Sequence, residues 1–176
     1  MARNFLVGVA CLALLALNVP SYAGGIRLHP EDKKHLLQDR FQIINKVENL
    51  PASVQSEFAH LVHERTFQMA NPGQEFQVTD FIQKQGLPFR RLIFAGVSSQ
   101  YCLVHYEMGG IGHGYYMVLF RLSKDKVSFA WFRFSKDRAS FVWGGCPQPF
   151  RPLANWAELK TFIKKDKFDD RTGIYW

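Results

Sequence analysis

The stretch QYCLVHYEMGGIGHGYYMVLFRL, Gln100 to Leu122, decides how this chain folds. It reads as two strands joined by a glycine-rich turn. Residues 101–108 and 113–122 are rich in Val, Leu, Phe, Tyr and Met, which suit a pleated, half-buried surface. Between them stands Gly109-Gly110-Ile111-Gly112, and glycine supplies the positive φ that tight hairpin turns demand. Side chains alternate along a strand, so Cys102, Val104, Tyr106 and Met108 share one face. Leu103, His105 and Glu107 share the other. A turn over Gly109–Ile111 sets Met108 opposite Gly112, Glu107 opposite His113 and His105 opposite Tyr115. That register gathers His105, Glu107, His113 and Tyr115 on one face, and a slip of one residue would scatter them.

The strand pattern continues downstream. Further strands are expected at about 89–97, 126–134 and 139–143, with Ser123-Lys124-Asp125 and Ser135-Lys136-Asp137 as polar turns between apolar runs. Sequential hairpins imply an antiparallel meander. Asn155 then caps a last helix with Glu158 as its capping-box partner. Trp156, Leu159 and Phe162 or Ile163 form its buried face.

Upstream the pattern is helical. Pro30-Glu31-Asp32 opens a first helix, with proline at the first position and acids against the dipole. Leu37, Phe41 and Ile44 give it an apolar face, and Asn49-Leu50-Pro51 stops it. A second helix is expected from about Ala52 to Met69, ended by Asn71-Pro72-Gly73. Residues 75–86 read either as loop or as a short helix capped by Thr79-Asp80. The fold class that follows is α+β. Its parts are an N-terminal helical hairpin, an antiparallel meander sheet of about five strands, and a C-terminal helix packed on the sheet. The simplest arrangement puts the helices on one face.

The opening MARNFLVGVACLALLALNVPSYAG has a basic start, a short apolar run and a small residue at Ala23, the pattern of a secretory leader. The expected organisation is a signal peptide over 1–23 and one α+β domain over 24–176, in the periplasm or secreted. No other apolar run approaches membrane length, so an integral membrane protein is not expected. Losing Arg3 with the leader lowers the formal charge from +7 to +6. The basic residues are scattered, which argues against nucleic acid. Cys102 and Cys146 are the two cysteines outside the leader. In an oxidising compartment they are expected to form a disulfide.

Several residues invite a chemical reading. His105, Glu107 and His113 on neighbouring strands are candidate metal ligands. The competing reading is a Glu107–His113 ion pair at the hairpin mouth. His60-Leu61-Val62-His63-Glu64 lacks the spacing of a zinc-protease helix, since its histidines are three apart rather than four. Gly112-His113-Gly114-Tyr115-Tyr116 is similar to the histidine-bearing strand of NlpC-type cell-wall peptidases. There the cysteine opens a helix well upstream, whereas Cys102 lies within a strand eleven residues before His113. No catalytic role carries over. Phosphate loops, nucleophile elbows and CxxC pairs are absent, so no catalytic residue and no cofactor is expected.

Aromatic residues crowd positions 129–143. Trp131, Arg133 and Trp143 join His105, Glu107, His113 and Tyr115 as candidate binding residues. The reading that follows is an exported, disulfide-bonded, non-enzymatic binding protein with a protein partner. Inhibitors and immunity proteins against cell-wall hydrolases or secreted toxins have this size and build. Two alternatives stay open: a metal-dependent hydrolase using the His/Glu/His cluster, and an envelope factor that binds anionic glycan or lipid. Whether the chain is an enzyme is not decided by its motifs, whose balance is against it.

Overall fold

The strand at Tyr101–Met108 is buried along its whole length, on both faces. A strand with no solvent face needs a layer on each side, and that need sets the architecture. The computed structural model describes residues 27–82, 84–129 and 132–170, without the side chains of residues 125–136. The expected leader, residues 1–23, and Trp131 lie outside the described residues.

The fold is α+β. Its strands are β1 (Gln42–Ile44), β2 (Arg90–Val97), β3 (Tyr101–Met108), β4 (Gly114–Phe129), β5 (Phe132–Pro147) and β6 (Phe168–Asp170). They form one antiparallel sheet in the order β1-β2-β3-β4-β5-β6, so every strand neighbours the next in sequence. The helices are α1 (Pro30–Gln38), α2 (Ala52–Leu61) and α3 (Trp156–Lys164). The C-terminal helix α3 packs on the sheet as expected.

Two buried clusters, one per face, hold the layers together. Cys102, Val104, Tyr106 and Met108 of β3 pack with Val54 and Phe58 of α2. Tyr101 and Leu103, the alternate residues, pack with Leu36 of α1 and Leu159, Phe162 and Ile163 of α3. Burying a side chain such as Phe58 or Leu159 is worth roughly 1.5–3 kcal/mol. The N-terminal helices therefore do not pair as a hairpin. α1 lies against α3 on one face, and α2 packs against β5 on the other. The sheet is covered on both sides rather than one.

Both N-terminal helices are shorter than their apolar periodicity suggests. The chain leaves α1 at Asp39, in extended conformation, and pairs Gln42–Ile44 with the edge of β2. Ile44 is buried, while Gln42 and Ile43 are exposed on this edge strand. A sheet edge that needs a partner overrides local helical preference here. α2 ends at Leu61, followed by His63 at φ 56°, a left-handed residue that stops the helix. Asp32 fastens α1 to the sheet. It is buried and accepts hydrogen bonds from Tyr101 Oη and Arg121 Nη2, each 2.7 Å.

The two SKD triplets are not turns. β4 and β5 run straight through them, and the register sets Lys124 opposite Asp137 and Asp125 opposite Lys136. Opposite charges placed directly across a ladder stabilise the pairing. The expected single strand at 126–134 is therefore divided, residues 126–129 closing β4 and 132–134 opening β5, and 139–143 continue β5.

The expected disulfide is corrected as well. Cys102 and Cys146 are each buried and are not bonded to each other. Cys102 stands level with Phe120 and Phe141, two strands from Cys146 and about four residues up the ladder. Strand spacing and rise make that separation roughly 16 Å, against about 7 Å at most for bridged Cα atoms.

Burial raises the Cys102 thiol to about 12. We therefore expect Cys102 and Cys146 to resist a thiol reagent in the native state and to react on unfolding, with reductant leaving Tm unchanged. A drop of several degrees on reduction would restore the bridge. Phe58→Ala should cost about 3–5 kcal/mol in urea unfolding.

Candidate functional site

The hairpin between β3 and β4 closes two residues later than a Gly109–Ile111 turn would. Met108 pairs with Gly114, Glu107 with Tyr115 and His105 with Met117. The turn is Gly109–His113, closed by His113 N–H donating to the Gly110 carbonyl at 3.0 Å. Gly110 sits at φ 93°. The shift is two residues, an even number, so the face assignment survives it.

Packing against the neighbouring loop sets this register. Gly109 N–H donates to the Phe89 carbonyl and Gly110 N–H to the Val78 carbonyl, both at 2.9 Å. A Cβ at position 109 would lie 1.9 Å from the Gln77 carbonyl oxygen, so no larger residue fits. The turn is thereby clamped to segment 76–82. That segment is irregular, without the short helix that Thr79-Asp80 would have capped.

Glu107 is the centre of the polar cluster. One carboxylate oxygen accepts from His113 Nε2 at 2.7 Å and the other from Arg91 Nη2 at 2.6 Å. Arg91 also stacks over Phe76, with 4.4 Å from guanidinium carbon to ring centroid. The expected Glu107–His113 contact at the hairpin mouth is therefore formed, and it is an ion pair when the imidazole is protonated. Tyr115 lies beside it, 6.0 Å from the His113 ring and 6.0 Å from Phe150.

His105 does not join this cluster. It is fully buried, its Nδ1 donates to the Tyr116 carbonyl at 2.8 Å, and its Nε2 accepts from Leu153 N–H at 3.1 Å. Both ring nitrogens are occupied, and the acceptor role of Nε2 requires the neutral ring. The expected His105/Glu107/His113 metal cluster is therefore not assembled. Among the described residues no group of three His, Cys, Asp or Glu is placed to hold a metal ion. The role of His105 is to tie the Leu153 segment to the sheet.

Trp143 is also no surface residue. It is fully buried in the α1/α3 face, with Nε1 donating to Asp170 Oδ1 at 2.7 Å. Arg133 is paired with Ser128 in the β4–β5 ribbon, and its side chain is outside the described set.

Around the Glu107 cluster the surface is apolar. Seven large apolar residues are exposed among the described residues, and six belong to this end of the sheet: Val78, Phe81, Ile82, Phe89, Ile111 and Phe150. Ile111 is 94% exposed, Phe81 83% and Ile82 63%. Phe150 lies over Gly114, where a Cβ would come within 2.1 Å of its ring. Arg91 and this loop patch are absent from the sequence-derived candidates. The signal available was Phe81-Ile82 in an otherwise polar stretch.

The full charges paired at this end offset one another: Arg91 against Glu107, and Lys84 against Glu75 at 3.3 Å. A surface groove of about 540 Å³ lies at the other end, lined by residues such as Arg40, Gln42 and Ser98. Its serines, Ser98 and Ser99, have no histidine or carboxylate beside them in the lining. No helix of the described residues is long and apolar enough to cross a membrane. No protein-family model matches the chain, and no curated protein or solved structure matches it.

Burial lowers the His105 imidazole from 6.5 to about 4. Between those values the unfolded chain takes up a proton that the folded chain refuses. Stability from this group is therefore full above pH 6.5 and is lost as pH falls toward 4. The slope should be roughly 1.4 kcal/mol per pH unit. His105→Gln should lower Tm at neutral pH and flatten this slope. An unchanged slope in the variant would assign it to another group.

Proposed function

We propose that this chain is an exported, non-enzymatic binding protein that holds a protein partner at the hairpin mouth. What supports the reading is the gathering, at one end of the sheet, of six of the seven large apolar residues that are exposed among the described residues. Contiguous exposed apolar surface is rare on proteins that bind nothing. The backbone beneath it is preorganised by the clamp on Gly109 and Gly110, so binding would lose little loop entropy. The Glu107–His113–Arg91 cluster supplies a polar edge to the patch.

Balanced charge at this end favours a protein surface over an anionic bilayer or glycan. An inhibitor or immunity protein acting on a cell-wall hydrolase or secreted toxin would use such a surface to cover its target. Catalysis has no support of comparable weight, because His105 is committed to the core and the catalytic expectation rested on it.

A photo-crosslinking residue at position 111, introduced into the exported protein in its own cells, should yield one discrete adduct. The same residue at Ile43, an exposed apolar position elsewhere, should yield none, and Ile111→Asp should abolish partner binding. Adducts of equal yield at both positions, or none at 111, would remove the hairpin mouth as the contact surface.

A further inference from the structure

The sequence carries two lysine doublets, Lys33-Lys34 and Lys164-Lys165, near opposite ends of the described chain. Packing of α1 on α3 brings them together. Lys33 Nζ donates to Asp166 Oδ1 at 2.6 Å, and Lys160 Nζ donates to the Leu37 carbonyl at 2.9 Å. An early α1 residue thus meets the end of α3 and a late one meets its middle, so the helices run in opposite directions. Leu37, Lys160, Thr161 and Lys164 line a surface groove between them. On α1 the buried residues Asp32 and Leu36 mark the inner side, and Lys34 stands about 180° round the helix from them. On α3 the buried residues Leu159, Phe162 and Ile163 mark the inner side, and Lys164 lies on the outer one, toward α1. Asp166, at φ 50°, turns the chain at the end of α3 and sets Lys165 and Lys167 at the same corner.

Lys33, Lys34, Lys160, Lys164, Lys165 and Lys167 therefore occupy one layer. The carboxylates nearby are committed or face elsewhere. Asp166 is bound by Lys33, Asp39 by His35 and Glu158 by Arg151, and Asp32 is buried against Arg121. Glu31 lies on the flank of α1 away from α3. Asp169 stands between Phe168 and Asp170, which both contact Trp143 in this layer, so alternation sends it to the other side of the sheet. Lys34, Lys164, Lys165 and Lys167 are exposed, and among the described residues none of the four has a carboxylate partner. The end dipole of α3 accounts for cations at 164 and 165, but not for Lys34 in the middle of α1.

We propose that the outer side of the α1/α3 layer docks electrostatically on an anionic phospholipid surface. Lysine is a point charge on a flexible stem and matches a layer of phosphates, whereas carboxylate groups favour the planar fork of arginine. About four to eight clustered cations suffice to hold a protein to an anionic leaflet. The outer positions Lys34, Gln38, Ala157, Thr161 and Lys164 hold no ring on which a base or sugar could stack. None of the large apolar residues exposed among the described residues lies on α1 or α3, so the contact stays in the headgroup layer and nothing enters the hydrocarbon. The Lys33–Asp166 and Lys160–Leu37 bonds fix the backbone beneath the free lysines, and little order has to be gained on contact. This surface shares no residue with the hairpin mouth, and neither reading needs the other.

The test is sedimentation of the chain beginning at Gly24, which leaves out the apolar run of residues 5–17, with phosphatidylglycerol-containing vesicles and with phosphatidylcholine vesicles. Binding should be confined to the anionic vesicles and should be lost at about 0.5 M salt. Lys34→Gln, Lys164→Gln and Lys165→Gln combined should weaken it about a hundredfold. Lys46→Gln, Arg65→Gln and Lys84→Gln combined remove as many charges elsewhere and should weaken it roughly threefold at most. All six side chains are exposed, so an unchanged Tm separates lost binding from lost fold. Lys34→Glu alone, away from the end of α3, should weaken binding about thirtyfold and decides the matter if the triple change loosens that helix. Ile111→Asp should bind vesicles normally. Equal losses in the two triple variants would trace binding to net charge, and retention at high salt would mean apolar insertion. Full competition by soluble glycerol phosphate would make the ligand a free phosphate. Each of these outcomes, or a failure to sediment, would overturn the proposal.

Discussion

Burial of β3 on both faces is the constraint on which the other elements depend. A central strand without a solvent side forces a layer above and a layer below. The sheet divides the three helices of the described residues, α2 to one face and α1 with α3 to the other. The same constraint explains His105. Its position on β3 points into the α1/α3 layer, where an unpaired imidazole would be costly, so both nitrogens are bonded. Two residues further along, Glu107 reaches the rim of that layer and can gather Arg91 and His113. Depth along one strand separates a structural histidine from a surface cluster.

The hairpin was legible because its pattern is local: two apolar runs, a glycine cluster and strict alternation. Its face assignment tolerated a two-residue error in the turn, since parity alone decides which side a residue takes. The division of the helices was only partly legible: Tyr101 and Leu103 put apolar residues on the second face, while Val104-His105-Tyr106-Glu107-Met108 alternates as a half-exposed strand would. Helix lengths were less legible. Phe41, Ile43 and Ile44 satisfy a helical period, and what turns them into a strand is the open edge of β2, a nonlocal fact.

The remaining differences also come from distance along the chain. A disulfide inferred from the number of cysteines carries no geometry, and the ladder keeps Cys102 and Cys146 far apart. The SKD triplets look like turns individually; only when set against each other do their charges become a cross-strand pattern. The apolar patch joins segment 78–82 to positions 89, 111 and 150, which no window along the sequence would connect. What brings them together is the pair of backbone bonds that clamp the Gly109–Gly110 turn.

The contact between α1 and α3 bears on the order in which the molecule can be completed. Each strand pairs with the one just before it, so a chain emerging from its N-terminus meets every partner already present. The α1/α3 face is different. Leu36, Leu103, Met117 and Trp143 share a cluster with Leu159, Phe162 and Ile163, residues that arrive near the end. Until α3 docks, one side of a finished sheet is bare hydrocarbon, and a chain stalled or cut before Trp156 would carry a folded half-core open to aggregation and proteolysis. α3 therefore acts as the closing step of folding, and the lifetime of the unclosed sheet sets how far the protein depends on chaperones.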